Sequence, residues 1–122
     1  ATSADQTNND WVLFRYADVI LMKAEALLKT GNAVGARDLI NTEIRAKRGA
    51  ANLTTLDDTE LLNERGRELY WEGWRRNDLI RFGKYLLPWQ EKPTDDPKNL
   101  FFPIPNNQLA VNPNLTQNPG YK

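Results

Sequence analysis

The chain has no cysteine and no histidine among its 122 residues. These two absences exclude Ser-His-Asp and Cys-His nucleophilic sites, zinc sites with cysteine or histidine ligands, and di-iron sites that require histidine. Carboxylates, lysine, tyrosine and hydroxyl groups remain as possible catalytic groups. Few classes of enzyme are therefore compatible with the sequence.

An excess of charge of either sign is also absent, since sixteen lysines and arginines balance sixteen aspartates and glutamates. Nucleic-acid-binding proteins present an excess of positive charge to the phosphates, so we predict no nucleic-acid partner. No run approaches the ~18 uninterrupted apolar residues of a transmembrane helix. The first ten residues, ATSADQTNND, have neither a basic start nor an apolar run, and we do not expect them to be a signal peptide.

The segment RYADVILMKAEALLK, residues 15–29, has the pattern of a helix with a very narrow polar strip. The residues predicted to form that strip are Arg15, Asp18, Met22, Glu25 and Lys29. Apolar residues cover most of the remaining surface, which is typical of a helix packed between neighbours on both sides. We therefore predict a central helix of a stack.

A second helix is predicted over residues 33–48, with Asn32 as its N-cap and Gly49 as its stop. Residues 15–48 span the 34-residue period of a tetratricopeptide unit, in which Ala24 and Ala36 are small enough to let the two helices cross. A single unit of this kind does not bury its own apolar faces, and no second copy is visible. We therefore expect the chain to be part of a larger protein.

A third helix is predicted from Asp57, which begins a capping box with Glu60, to about residue 72, and a further helical stretch over residues 78–84. All seven prolines follow Leu86 and disfavour long helices there. The predicted fold is mostly α: a tetratricopeptide-like helical pair, further helices, and an irregular proline-rich C-terminal tail. We divide it into an extended lead-in (1–14), a helical region (15–85) and a wrapping tail of the same domain (86–122). The tail residues expected to be buried are Phe101, Phe102, Ile104 and Leu109.

Glu64, Glu68 and Glu72 recur at a spacing of four, which would align three carboxylates on one helix face. Such carboxylates are compatible with glycosidase-type acid–base chemistry or with an oxygen-ligand metal site. An ion-pair network explains them better, because many arginines lie close in sequence. Those arginines are Arg65, Arg67, Arg75, Arg76 and Arg81. We therefore predict no catalytic residue, no metal site and no cofactor.

Several aromatic residues follow the third helix, and apolar ring faces stack well on sugars. Aromatic residues in helices are more often part of a core or an interface, which remains the alternative. The residues chosen as candidate ligand-binding positions are Trp74, Tyr85 and Trp89. The sequence FPIP at 102–105 is either buried structure or a polyproline ligand.

Three segments together resemble the SusD/RagB family of outer-membrane nutrient-binding lipoproteins, in the order in which that family carries them. They are RYADVILMKAEAL (15–27), ERGRELYWEGWRRNDLIRFGKY (64–85) and LFFPIPNNQLAVNPNLTQNPGY (100–121). The resemblance covers most of the chain from Arg15 onward.

The resemblance implies a non-catalytic protein that binds oligosaccharides or other nutrients and delivers them to a SusC-like, TonB-dependent transporter. It also implies an outward-facing place on the outer membrane, through an upstream lipid anchor on a cysteine that this chain lacks. It assigns no ligand residue to this chain. Two alternatives are a tetratricopeptide-like adaptor for a protein or peptide, and a carboxylate-based glycoside hydrolase, for which three glutamates on one helix are poorly placed.

Overall fold

The fold is that of a computed structural model, in which the structure of residues 12–122 is described. Most of the predicted lead-in, residues 1–14, therefore lies outside the described residues. The described part contains five α-helices and no strand. They are α1 (Tyr16–Lys29), α2 (Ala33–Ile40), α3 (Asp58–Glu68), α4 (Arg75–Arg81) and α5 (Asn106–Val111). The prediction of a mostly α fold is confirmed.

Helices α1 and α2 form the predicted pair. The Asn32 side chain accepts a hydrogen bond of 2.8 Å from the Gly35 amide and so caps α2 as predicted. After α2 the chain continues through a π-helical turn (Asn41–Arg45) and a 3₁₀ turn (Ala46–Arg48). Together, α2 and these two turns form the second helical segment. Gly49 then takes a left-handed conformation, with φ of 66°, and ends the second helical segment where the sequence places its stop.

The apolar core lies between α1, the second helical segment and α3. Ala24 and Ala36 are both fully buried, as the prediction of small residues at the helix crossing requires. The other buried apolar residues are Ile20, Leu21, Ile40, Ile44, Leu56, Leu61, Leu62 and Leu69. This core fixes α3 relative to the pair and thereby positions its glutamates.

One expectation about α1 is wrong in the described structure. Asp18, assigned to the polar strip, is only 2% exposed, and its carboxylate lies 2.9 Å from a guanidinium nitrogen of Arg65. Tyr16 and Val19, on the apolar surface of α1, are exposed within this chain, so their covering by neighbours outside the chain stays a prediction. The periodicity of one helix does not reveal a buried ion partner 47 residues away.

The third helix is shorter than predicted. It begins at the predicted N-cap, since Asp57 accepts a 2.7 Å hydrogen bond from the Glu60 amide, but it ends at Glu68 rather than near residue 72. A turn follows in which Trp71 has a φ of 65°. Glu72 therefore does not continue the helix face of Glu64 and Glu68. The next helix, α4, spans Arg75–Arg81, against a prediction of 78–84.

Contacts within the chain define two compact groups, one up to Arg75 and one formed by residues 76–122. The three-part division made from the sequence remains a prediction. In the second group, a 3₁₀ turn (Pro97–Leu100) precedes α5, a helix that was not predicted. Pro105 lies immediately before α5, where proline leaves the helical hydrogen bonds intact.

The expected burial of Phe101 and Phe102 is wrong in the described structure, because both are exposed, whereas Ile104 and Leu109 are partly buried. The apolar character of the two phenylalanines suggested burial, but side-chain hydrogen bonds hold this segment. The Gln117 amide accepts from the Ile104 N–H (2.8 Å) and donates to the Ile104 carbonyl (2.9 Å). The Asn118 side chain donates to the carbonyl of Phe102 at 2.7 Å.

Candidate functional site

Arg15, immediately before α1, joins the beginning of that helix to the end of α3. Its guanidinium donates to Glu72 at 2.8 Å, to the Glu68 carboxylate at 2.7 Å, and to the Glu68 carbonyl. Arg48 approaches the Glu68 carboxylate at 2.7 Å from the second helical segment. The side chain of Glu68 is thus held between arginines from two other parts of the chain.

Glu64 has an equivalent environment one turn earlier on α3. Arg45 contacts its carboxylate at 2.7 Å, and Arg67 donates to it from Nε at 3.0 Å. Arg67 also pairs with Glu60. These groups border an open cleft of about 390 Å³, whose lining residues are Arg15, Ile44, Arg45, Arg48, Ala50, Glu64, Arg67 and Glu68.

Electrostatics keep the Glu68 carboxylate ionised. Burial alone would raise the pKa of Glu68, but the hydrogen bonds from Arg48 and Arg15 outweigh burial and hold the pKa below its ordinary value. A general acid requires the opposite shift, because it must hold a proton near neutral pH. The site is therefore suited to holding the three segments together rather than to transferring protons.

The predicted ion-pair network is present, but most of its arginines are not those expected from the sequence. Only Arg67 belongs to the predicted set, while Arg15, Arg45 and Arg48 come from earlier in the chain. The other predicted arginines have different partners. Two of them pair with aspartates, Arg65 with Asp18 and Arg81 with Asp78. The other two donate to backbone carbonyls, Arg75 to that of Leu62 and Arg76 to that of Asn99. Nearness in sequence was the wrong guide, because tertiary packing brings the second helical segment to α3.

The three aromatic candidates have different environments. Trp74 is partly buried and packs against Phe14, with ring centroids 5.5 Å apart. Tyr85 is partly buried, with the cations of Arg76 and Lys92 at 5.1 and 5.6 Å from its ring centroid. Trp89 is 60% exposed. Trp74 belongs to the first compact group and the other two to the second, so the structure gives no evidence of a shared site.

Sequence reasoning did not single out the contact between Arg76 and Phe102. The guanidinium carbon of Arg76 lies 4.2 Å from the Phe102 ring centroid, and the same side chain donates to the carbonyls of Asn99 and Leu100 at 2.8 and 3.3 Å. The pair is separated by 26 positions in the sequence, so no local pattern indicates it. Arg76 thereby fixes the start of the 101–105 segment.

Comparison with protein families gives a match to the SusD family over residues 1–95 and 88–121. The chain belongs to the SusD family. It is 36% identical to the starch-binding protein SusD of Bacteroides thetaiotaomicron, over 98% of this chain and 23% of that protein. It is 35% identical to the SusD-like protein P38 of Formosa agariphila, over 98% of this chain and 26% of that protein.

The fold also agrees with a solved SusD-like structure. A crystal structure of a SusD-like protein from Bacteroides fragilis aligns with a TM-score of 0.76 and 27% identity, over 91% of this chain and 26% of that one. The chain thus spans about a quarter of the length of these SusD relatives. The first of these relatives carries starch binding in its name. Among residues 12–122, none of the helices has the length and apolar character needed to span a bilayer.

Proposed function

We propose that this chain is the C-terminal part of a non-catalytic, cell-surface nutrient-binding protein whose ligand is an oligosaccharide. The observation that carries the proposal is the 36% identity to a starch-binding protein along 98% of the chain. In this proposal α1 to α3 supply scaffold. The ligand is captured at equilibrium and released unchanged.

The ion-paired state of the glutamates supports binding without cleavage. Hydrolysis of a glycosidic bond requires a protonated carboxylic acid on one side of the bond and a carboxylate on the other. Glu64 and Glu68 lie on the same helix, and each is bound by two arginines. The low pKa of Glu68 opposes the role of the acid.

The finer proposal is delivery of the ligand to a SusC-like, TonB-dependent transporter in the outer membrane. It rests on membership in the SusD family. The whole protein would face outward and be held by a lipid anchor upstream of this chain. Contact with the transporter would bring the captured oligosaccharide to the entrance of the barrel.

Calorimetric titration of the full-length protein tests the binding proposal. Maltoheptaose, the starch-type ligand suggested by the starch-binding relative, heads a panel of neutral and acidic oligosaccharides. We expect saturable heat with at least one of them. Absence of binding to the whole panel, with a correctly folded protein, would overturn the proposed function.

Purification of the tagged full-length protein from detergent-solubilised outer membranes tests delivery separately. We expect a TonB-dependent barrel protein to be recovered with it in stoichiometric amount, as identified by mass spectrometry. If the protein binds an oligosaccharide but no such barrel is recovered, delivery is contradicted while the binding function stands.

A further inference from the structure

The turn at residues 88–92 presents an aromatic ring on a rigid backbone. Trp89 and Lys92 exchange two backbone hydrogen bonds, of 3.0 and 2.9 Å, which close the turn. A third backbone bond, from the Asp95 amide to the Leu86 carbonyl at 3.0 Å, ties together the two chain segments on either side. The backbone beneath Trp89 is therefore fixed without any need to bury the ring.

Gln90, the residue after Trp89, has a φ of 44°. Residues other than glycine rarely adopt this left-handed conformation, and such strain concentrates at functional positions. The strained residue shapes a turn whose most prominent feature is an indole that is 60% exposed. An exposed indole leaves a large apolar surface in water.

We propose that Trp89 is a stacking platform for a pyranose ring of a neutral oligosaccharide, with Gln90 and Glu91 beside it to hydrogen-bond hydroxyl groups. The inference rests on the proposed function and names the ligand surface within this chain. One face of a pyranose ring carries apolar C–H groups that match an indole face, while its rim carries hydroxyls that match planar polar side chains. Both kinds of group occur next to each other in this turn.

The charges in the turn favour a neutral sugar over an acidic one. The Lys92 ammonium is directed to Asp95 at 3.6 Å and to the Tyr85 ring at 5.6 Å. Glu91 is exposed, and no cation of residues 12–122 forms an ion pair with it. A carboxylate two positions after Trp89 in the chain accepts hydroxyl hydrogens and repels uronate or sulfate groups.

Trp71 provides a matched comparison, because it is also an exposed tryptophan, at 83%, in a turn with positive φ. Its ring, however, meets that of Tyr70 at 74°, with centroids 6.2 Å apart. Two neighbouring rings at that angle present no common plane to a sugar. In contrast, no aromatic ring of the described residues packs against Trp89.

The test is calorimetric titration of the full-length protein and three variants with maltoheptaose and with an oligogalacturonate of equal length. We expect Trp89→Ala to weaken maltoheptaose binding by about tenfold or more, Trp89→Phe to weaken it by about threefold, and Trp71→Ala to leave it unchanged. Oligogalacturonate should bind more weakly than maltoheptaose to the unmodified protein. Far-UV circular dichroism of each variant checks that it is folded.

Acrylamide quenching of tryptophan fluorescence provides a second measurement that does not depend on an alanine variant. The difference in quenching between the unmodified protein and Trp89→Phe reports the accessibility of the Trp89 indole. This accessibility should be high without sugar and should fall when maltoheptaose is added. If Trp89 is already shielded without sugar, or if Trp89→Ala binds maltoheptaose normally, the platform is refuted while the binding function stands. If no panel glycan binds the unmodified protein, the proposed function fails and the platform fails with it.

Discussion

Two ion pairs join the same two helices but differ in burial, and they allow a controlled test of what holds α1 on α3. Asp18 and Arg65 are each 2% exposed and lie 2.9 Å apart. Lys29 and Asp58 lie 2.6 Å apart, with side chains that are 52% and 54% exposed. The matched substitutions are Asp18→Ala and Asp58→Ala.

The loss of stability expected from each substitution depends on whether the remaining partner is buried or exposed. Asp18→Ala removes the carboxylate that lies 2.9 Å from the buried Arg65 guanidinium, and removal of one partner of a buried pair typically costs about 3–5 kcal/mol. Asp58→Ala removes one partner of an exposed pair, and exposed pairs contribute about 0–1 kcal/mol. At about 1.4 kcal/mol for each factor of ten, Asp18→Ala should raise the local opening constant at least ~100-fold and Asp58→Ala less than ~10-fold.

Native-state hydrogen exchange of the full-length protein, followed by mass spectrometry, measures this opening. Peptides from α1 and α3 should exchange much faster in Asp18→Ala than in the unmodified protein and only slightly faster in Asp58→Ala. Equal effects of the two substitutions on exchange would contradict this expectation. Such a result would mean that burial does not determine how much each ion pair contributes to stability.

Three further perturbations test other parts of the structure. Because the pKa of Glu68 is lowered in the folded protein, its contribution to stability is present above its ordinary value of 4.5 and is lost as the pH falls below that value. Glu68→Gln should reduce the acid-induced fall of the melting temperature, and an unaltered pH profile would contradict this. Gln117→Leu removes the two hydrogen bonds between the Gln117 side chain and the backbone of Ile104. Because the Ile104 N–H then lacks that acceptor, the free energy of local unfolding should fall by about 1–3 kcal/mol. Limited proteolysis should then cut residues 101–118 faster, and an unchanged rate of cleavage would contradict this expectation. Gly49→Ala puts a Cβ on a residue with φ of 66° in open space, so conformational strain alone should lower stability by about 1 kcal/mol. A melting temperature equal to that of the unmodified protein would show that this strain is absent.

Local chemistry made the helical pair predictable. Asn32 and Gly49 act on backbone groups within a few residues, so their roles as cap and stop follow from the sequence next to them. The small residues at the helix crossing, Ala24 and Ala36, were predictable from the 34-residue period. Most of the fold class follows from signals of this kind.

The errors arose where distant residues determine the structure. Asp18 is polar and lies on the predicted polar strip, yet it is buried because Arg65 arrives from another helix. The end of α3 lacks a glycine or proline at residues 69–72 that would mark it, and Glu72 lies outside the helix, where it pairs with Arg15. No local pattern shows these pairings.

The sequence predicted that the candidate site is an ion-pair network, but not which arginines form it. The sequence indicated that the glutamates form ion pairs, but it could not show that Arg15, Arg45 and Arg48 are the partners. Among the aromatic candidates, Trp89 is exposed, as its place beside Pro88 in a loop indicates, whereas Trp74 is partly buried. Accessible surface is a property of the folded chain.

The function proposed for the protein is to bind an oligosaccharide and leave it intact. Its most direct test is equilibrium dialysis of the full-length protein against maltoheptaose, followed by chromatography of the recovered sugar. We expect saturable retention and recovery of maltoheptaose at its original length. Shorter products that appear with the unmodified protein and disappear with Glu68→Gln would contradict it.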